Sequence, residues 1–544
     1  MSDFAAALAH AQRGDLAAAE NILRALIARD RSDPNALHLL ANVLHARGGT
    51  QAALLHFEEA RALAPHDPAI AFNHAVALAA AHRHEEAVNA FADALLRNPN
   101  DVGALRGQAA SLARLGRYAE ALSASERALS FKSIDIGAHF IRAAALIALD
   151  RSRAALEALD RLLQLTPNHS AARAHRATAL ANLARFDEAL AEIDEVIAQE
   201  PQRLDHQKRR AHVLSMSNRR DEARDAYDSI LAQVPDDKEA RYGRADALLA
   251  LGDLKQGWAD YEARTPMLHG QPSSAPLWTG AEPLDGKSIL VQAEQGFGDL
   301  FQFCRFIPEL KHRGARVVLQ ERPQTFALLR SLGAVDQFVS TKEPAPAADF
   351  RIPTNSLMHA LGVRLESIPA PIPYLHAELE RVDAWRQRLW TAGVSPTGKK
   401  RIGLCWAGTT GSPFQRSRNL DRASLERLFS IDAECISLQF DPTPEAAALM
   451  AQYEVRDFSA EIRDFAELAA LIANLDLVIS VDTNVAHLAG ALGKPLFVLL
   501  PHTTDWRWLM HREDTPWYPQ ARLFRQPHHG DWASVIDRVL ASFQ

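Results

Sequence analysis

Small apolar residues recur along the first half of the chain with a fixed period of 34 residues. One series runs Ala7, Ala41, Ala75, Ala109, Ala143, Ala177, Ala211 and Ala245. A second runs Ala19, Ala53, Ala87, Ala121, Ala155, Ala189 and Ala223 and ends at Gly257. Bulky residues follow in the same register at Phe57, Phe91, Leu159, Ile193, Tyr227 and Tyr261, interrupted by Ser125. A punctuating series, Arg31, Pro65, Pro99, Ser133, Pro167, Pro201 and Pro235, marks where each unit stops, because proline donates no backbone hydrogen bond and clashes with the preceding turn. Two antiparallel helices approach closely only where facing positions carry little more than a methyl group, so each 34-residue unit reads as a helix pair.

From about Gly286 the pattern changes. Short β-branched and apolar runs alternate with helical stretches, which is the mark of parallel α/β layers. The runs predict strands at Ser288–Gln292, Arg316–Gln320, Gln337–Ser340 and Asp349–Ile352. After a proline-rich stretch around Ile368–Pro373 and a helix through Trp385–Leu389, a second set is predicted at Arg401–Trp406, Cys435–Gln439, Leu475–Val481, Pro495–Leu500 and Arg522–Phe524. Two doubly wound halves place a ligand crevice at the carboxyl ends of their strands.

The 34-residue pattern resembles the tetratricopeptide family over residues 1–267, in seven to eight units. Such solenoids choose partners through a concave groove rather than through their framework. At one offset from the proline register the groove candidates are His38, Phe72, Arg106, Phe140, Lys208 and Tyr242, with Ala174 breaking the series. This lining fits a peptide segment or a protein helix, although any one such position is more often a solvated face.

Composition narrows the classes. The chain has 544 residues, 47% apolar and 23% charged, which suits more than one soluble core. A formal charge of −7 argues against a general nucleic-acid binder. Cys304, Cys405 and Cys435 are too dispersed for a CxxC motif. With no apolar run of membrane-spanning length and no basic-then-apolar leader, the expectation is a cytoplasmic protein.

Four segments carry candidate chemistry. In QAEQGFGDLFQFCRFIPEL (292–310), a glycine-rich turn that includes Gly298 follows a strand and sets Asp299 at a helix start. There it can act as a general base or as an N-cap, and the two roles can coexist. In VISVDTNVAHLAGALGKP (478–495), a buried strand leads through a polar turn at Asp482 into a small-residue helix, where Thr483, Asn484, Val485 and Ala486 present backbone N–H groups. Such an N-terminus offers amides to a phosphate. His487 on its first turn is either a ligand or a hydrogen-bonded structural residue. In IGLCWAGTTGSPFQRSRNL (402–420), Arg416 and Arg418 can neutralise phosphate or lie on the surface. In TDWRWLMHREDTPWYP (504–519), Trp506, Trp508, Trp517 and Tyr518 can stack on a base or sugar, or pack in a core.

Over residues 285–544 these segments resemble the heptosyltransferase-like glycosyltransferases, which have the two-lobed GT-B layout, and especially the subset with tetratricopeptide repeats in front. DTNVAHLAGALGKP follows that family's DTxxxHLAxALGxP donor motif, and GFGD follows its shorter glycine–aspartate motif. Asn484 stands where many heptosyltransferases have glycine, and no lysine follows Trp406. The resemblance implies an all-α tetratricopeptide solenoid (1–267) followed by an α/β GT-B module with two Rossmann-like lobes (285–375 and 376–544). It gives Asp299 the catalytic-base position. Thr483, Asn484 and His487 take donor-phosphate positions, with Gly298, Arg416, Arg418, Asp482, Val485 and Trp506 as further donor-binding candidates.

Nowhere does the chain contain Asp-x-Asp, the spacing metal-dependent sugar transferases use, so the expected reaction takes no metal or other cofactor. A single displacement with inversion is what the family implies. The fused architecture suggests a protein acceptor docked by the repeats and a nucleotide sugar as donor. Flagellin glycosyltransferases with such repeats lead the expectation, and their donor is a nonulosonic acid carried on CMP. The rivals are a non-catalytic scaffold with a degenerate transferase half, and transfer to a lipid or polysaccharide.

Overall fold

The computed structural model describes residues 3–267, 273–294, 296–368, 371–394, 398–408 and 416–543. Gln295 and the stretch 409–415, both inside segments singled out from the sequence, lie outside these residues, as do 369–370 of the proline-rich stretch.

Sixteen helices between Asp3 and Tyr261 form an N-terminal all-helical solenoid. Each alanine of the two 34-residue series is fully buried, as the packing argument requires. The second helix of each pair stops two residues before the punctuating position, with caps at Asp30, Ala64, Asn98, Lys132, Thr166, Glu200 and Val234. A further periodic device starts the next pair: Asp33, Asp67, Asp101, Asp135 and Asp237 each accept a first-turn backbone N–H, and His169 takes that place once.

The bulky series is matched by glycine where space is shortest. A Cβ at Gly107 would lie 2.3 Å from the Phe91 ring, and one at Gly243 would lie 2.3 Å from the Tyr227 ring. Gly243→Ala is therefore expected to destabilise the protein by about 1–3 kcal/mol through overpacking. Chemical denaturation compared with wild type checks this, and an unchanged midpoint would contradict it.

Two compact units divide the chain, Met1–Gln202 and Arg203–Gln544. The division falls inside the repeats. Helices Leu204–Met216, Arg220–Gln233, Lys238–Leu251 and Leu254–Tyr261 thus share a unit with the α/β layers. Trp258 of the last helix is buried edge-on against Trp506, with centroids 5.0 Å apart. Arg264 donates to both oxygens of Glu294 at 2.5 and 2.6 Å and to Ser356 Oγ at 2.9 Å. Burial works against the charge of Arg264, but the Glu294 carboxylate outweighs it and raises the pKa of the guanidinium. Arg220 Nη2 donates to the Thr504 carbonyl at 3.0 Å, and Thr503 Oγ1 to the Met216 carbonyl at 2.6 Å.

The α/β layers hold two all-parallel sheets. The first comprises β1 (Ser288–Gln292), β2 (Arg316–Glu321), β3 (Gln337–Ser340) and β4 (Phe350–Pro353) in the order β3-β2-β1-β4. The second comprises β5 (Arg401–Cys405), β6 (Glu434–Ser437), β7 (Arg456–Asp457), β8 (Leu477–Val481), β9 (Leu496–Leu500) and β10 (Ala521–Arg525) in the order β10-β9-β8-β5-β6-β7. Strand β7 has two residues, both exposed, and left no apolar run to read. In each sheet the chain winds outward in one direction and then returns to the other side of the starting strand. A switch point therefore lies between β1 and β4 and another between β5 and β8. Ligands bind in the crevice that such reversals open at strand ends.

Candidate active site

Every sequence-selected site segment except that around Trp506 leaves a strand at one of these two switch points. After β1, Gly296 caps the helix Phe297–Phe303, and Asp299 is its third residue. Asp299 Oδ2 folds back to accept the Gly296 N–H at 3.2 Å, while Oδ1 accepts from Arg507 Nη2. The N-cap is thus Gly296 and not, as expected from the sequence, Asp299, which instead closes the helix start from the third position and also faces the second lobe.

Across the crevice, Thr483 caps the helix Asn484–Ala491. Its hydroxyl accepts the Val485 N–H at 3.3 Å, and its carbonyl accepts the Ala486 N–H at 3.1 Å. The Val485 and Ala486 amides are therefore bonded inside the turn. Thr483 Oγ1 also lies 3.0 Å from Ser480 Oγ and 3.6 Å from Cys405 Sγ, which joins the ends of β8 and β5. Gly298 is where the two lobes meet: a Cβ there would sit 2.9 Å from His487 Cδ2 and 3.7 Å from Asn484 Cα. Glycine at this position lets the helix bearing Asp299 rest on the first turn of the opposing helix.

His487 is buried. Its Nδ1 lies 2.9 Å from the Tyr518 hydroxyl, its Nε2 lies 3.6 Å from Asp482 Oδ1, and its ring stacks on Trp508 with centroids 5.3 Å apart. A small residue next to it is required, since a Cβ on Gly490 would fall 2.4 Å from the Tyr518 ring. Burial raises the pKa of Asp482, but the bond to His487 and the charges of His487 and Arg418 outweigh it and hold the carboxyl low. Arg418 lies across Gly408, where a Cβ would meet its Nε at 2.6 Å. Arg416 is half-buried, and its carbonyl accepts the Asn419 N–H at 3.0 Å. The amides of Ala407 and Gly408 are taken by the side chains of Gln439 and Asn419, both at 2.9 Å.

Trp506 is buried among Trp258, Tyr261 and Phe303, with the Arg507 guanidinium carbon 4.3 Å from its ring. Trp517 is likewise buried, edge-on to Phe303. Arg305 crosses between the lobes, donating to the Trp517 carbonyl at 3.0 Å and the Tyr374 hydroxyl at 2.9 Å.

Sequence reasoning read the segment 504–519 for its aromatics and missed its charges. Arg507 is buried, donates to Asp505 Oδ1 at 2.7 Å and reaches Asp299. The available signal was a charged residue set between two tryptophans. Burial, then the charges of Asp482 and Asp246, push Asp505 up to about 8. Because the folded form holds this proton more tightly than the unfolded chain, the associated stability is present below the ordinary carboxyl range and is lost as pH rises through about 8. Asp505→Asn is expected to flatten that loss. Denaturant midpoints on either side of pH 8 check it, and equal slopes in variant and wild type would refute it.

Sequence comparison places this geometry. Residues 459–533, which run from before β8 through β10, match glycosyltransferase family 9 (heptosyltransferase). Residues 4–68, 72–134 and 209–264 match the tetratricopeptide repeat. The chain carries tetratricopeptide repeats and a glycosyltransferase family 9 domain. Protein FlbA of Caulobacter vibrioides is 26% identical over 336 residues, 56% of this chain and 54% of that protein, so the chain spans about half the relative's length. Among solved structures, a tetratricopeptide repeat protein from Parabacteroides merdae is 18% identical with TM-score 0.40, covering 44% of this chain and 93% of its own. A tetratricopeptide protein from Thermus thermophilus is 26% identical with TM-score 0.30, covering 34% and 100%. The family match includes the helix Asn484–Ala491, whose first turn lies against Gly298. Among the described residues, no helix is long and apolar enough to cross a membrane.

Proposed function

We propose that the chain transfers a sugar from a nucleotide-activated donor to a hydroxyl of a protein docked by the repeats, with flagellin as the leading acceptor. The observation that carries this reading is the contact of Gly298 with His487 and Asn484, which sets Asp299 against the first turn of the helix Asn484–Ala491. In the reaction the acceptor oxygen bonds to the anomeric carbon and its proton passes to Asp299. The bond from that carbon to the phosphate oxygen breaks, and its electron pair leaves on the nucleotide. Arg418 and the positive end of the dipole of the helix Asn484–Ala491 stabilise the departing charge, so the reaction needs no metal. The repeats support a protein acceptor because solenoids of this kind present partner-binding surfaces.

The groove positions chosen from the register are engaged along the solenoid. Arg106 bonds Asp135 at 2.9 Å, Lys208 bonds Asp237 at 3.1 Å, and Phe140 stacks on His169 with centroids 5.6 Å apart. Partner choice then falls to their half-exposed faces and to neighbouring side chains. Intact-mass analysis of candidate surface proteins co-expressed with the chain tests the proposal. A sugar-sized increment that disappears with Asp299→Ala supports it, and no increment on any partner removes its footing.

One observation favours the second reading, a non-catalytic scaffold: both Asp299 oxygens are occupied by Gly296 N–H and Arg507. Calorimetry of residues 203–544 with CMP, UDP, GDP and ADP separates the two readings, since a scaffold with a degenerate site gives no heat.

A further inference from the structure

The contact between Arg507 and Asp299 links the lobes at the point where the reaction requires a free base. Arg507 lies in a short 3-10 turn, Trp506–Trp508, whose Trp508 stacks on His487. Its Nη2 serves Asp299 and its Nη1 serves Asp505, and its Cζ sits 4.3 Å above the Trp506 ring. Its Nε has no hydrogen-bond partner among the described residues, although the side chain is about nine-tenths buried. A guanidinium binds carboxylate and phosphate with the same planar fork, so the two carboxyl groups here hold a group equally suited to an arriving phosphate.

Resting on the donor-site reading above, we propose that Arg507 is a positioning residue that holds Asp299 in the absence of donor. When a nucleotide binds, Arg507 moves onto its phosphate and frees the carboxylate to take the acceptor proton. Asp505 makes the exchange tolerable. Its carboxyl is pushed up to about 8 by burial and by the nearby charge of Asp482, so it holds its proton near neutral pH whether or not Arg507 is beside it. No uncompensated buried anion is then left behind. The device also protects the donor, because a base tied up in an ion pair cannot activate a stray water before binding is complete.

Carbodiimide labelling of carboxyl groups, read by peptide mass spectrometry on the full chain, tests this directly. Calorimetry with CMP, UDP, GDP and ADP identifies the nucleotide that binds. Labelling of Asp299 is then expected to rise several-fold on adding that nucleotide, and to be high with or without it in Arg507→Gln. Arg507→Lys, which keeps the charge but loses the fork, is expected to label at an intermediate level, and it preserves the test if Arg507→Gln fails to fold. Heat with one nucleotide but unchanged or reduced Asp299 labelling overturns the proposal alone. No heat with any of the four overturns the donor-site reading and the proposal together.

Discussion

Replacing Asp299 with asparagine is expected to lower sugar transfer by about 10²–10⁴-fold without lowering nucleotide affinity. The expectation rests on division of labour across the crevice. In the proposed reaction the nucleotide's phosphate lies against the second lobe, near Thr483, the helix Asn484–Ala491, Arg418 and Arg507, whereas Asp299 belongs to the first. Asparagine keeps the shape and can still accept the Gly296 N–H, so the helix start survives. It cannot take up the acceptor's proton. Turnover of the mass-shifted acceptor, paired with calorimetric affinity for the nucleotide, measures both halves. Transfer at the wild-type rate would place the base elsewhere, and a parallel loss of affinity would make Asp299 a structural residue of the cleft.

Arg264→Met should destabilise the second compact unit by about 3–5 kcal/mol, because it strands a carboxylate in the protein interior. Glu294 is about 2% exposed and receives both arms of the guanidinium. Removing the partner leaves that charge without solvent or counter-ion. Glu294 is also on the segment leading from β1 to Asp299, so damage is expected to reach the active site. The same contacts fix where the chain can be cut. A fragment of residues 203–544 should unfold in one cooperative transition. A fragment of residues 280–544 should not, since it loses Trp258 from the face of Trp506 and Arg264 from Glu294. Thermal denaturation followed by near-ultraviolet circular dichroism discriminates these outcomes. A sharp transition in the shorter fragment would show that the last repeats merely adjoin the sugar-transferase layers.

That cut site illustrates what local pattern conveys. A change from 34-residue periodicity to alternating strands near Gly286 is visible in the sequence, because periodicity reports which face of each element is buried. Which helices share a core with which sheet depends on contacts between residues far apart in sequence, such as Arg220 with Thr504, and nothing periodic encodes them.

The candidate site divides in the same way. Helix starts and strand ends are local requirements of backbone geometry and were legible as motifs. So were the buried alanines, whose spacing states how near two helices come. Gly298 was visible only within GFGD, and its approach to His487 is tertiary. Arg507, Glu294 and Asp505 were not legible, because a charged residue has the same identity whether it is solvated or buried. Only the fold decides whether Arg507 faces water or the carboxylate of Asp299. Trp506 shows the converse: its ring chemistry suits a ligand, but the tertiary structure surrounds it with Trp258, Tyr261 and Phe303. By itself the sequence determined the repeat solenoid, the α/β layers and the residues at the strand ends, since each follows from local spacing. The tertiary structure alone decided which charges meet in the crevice, because burial and pairing arise only when distant segments pack.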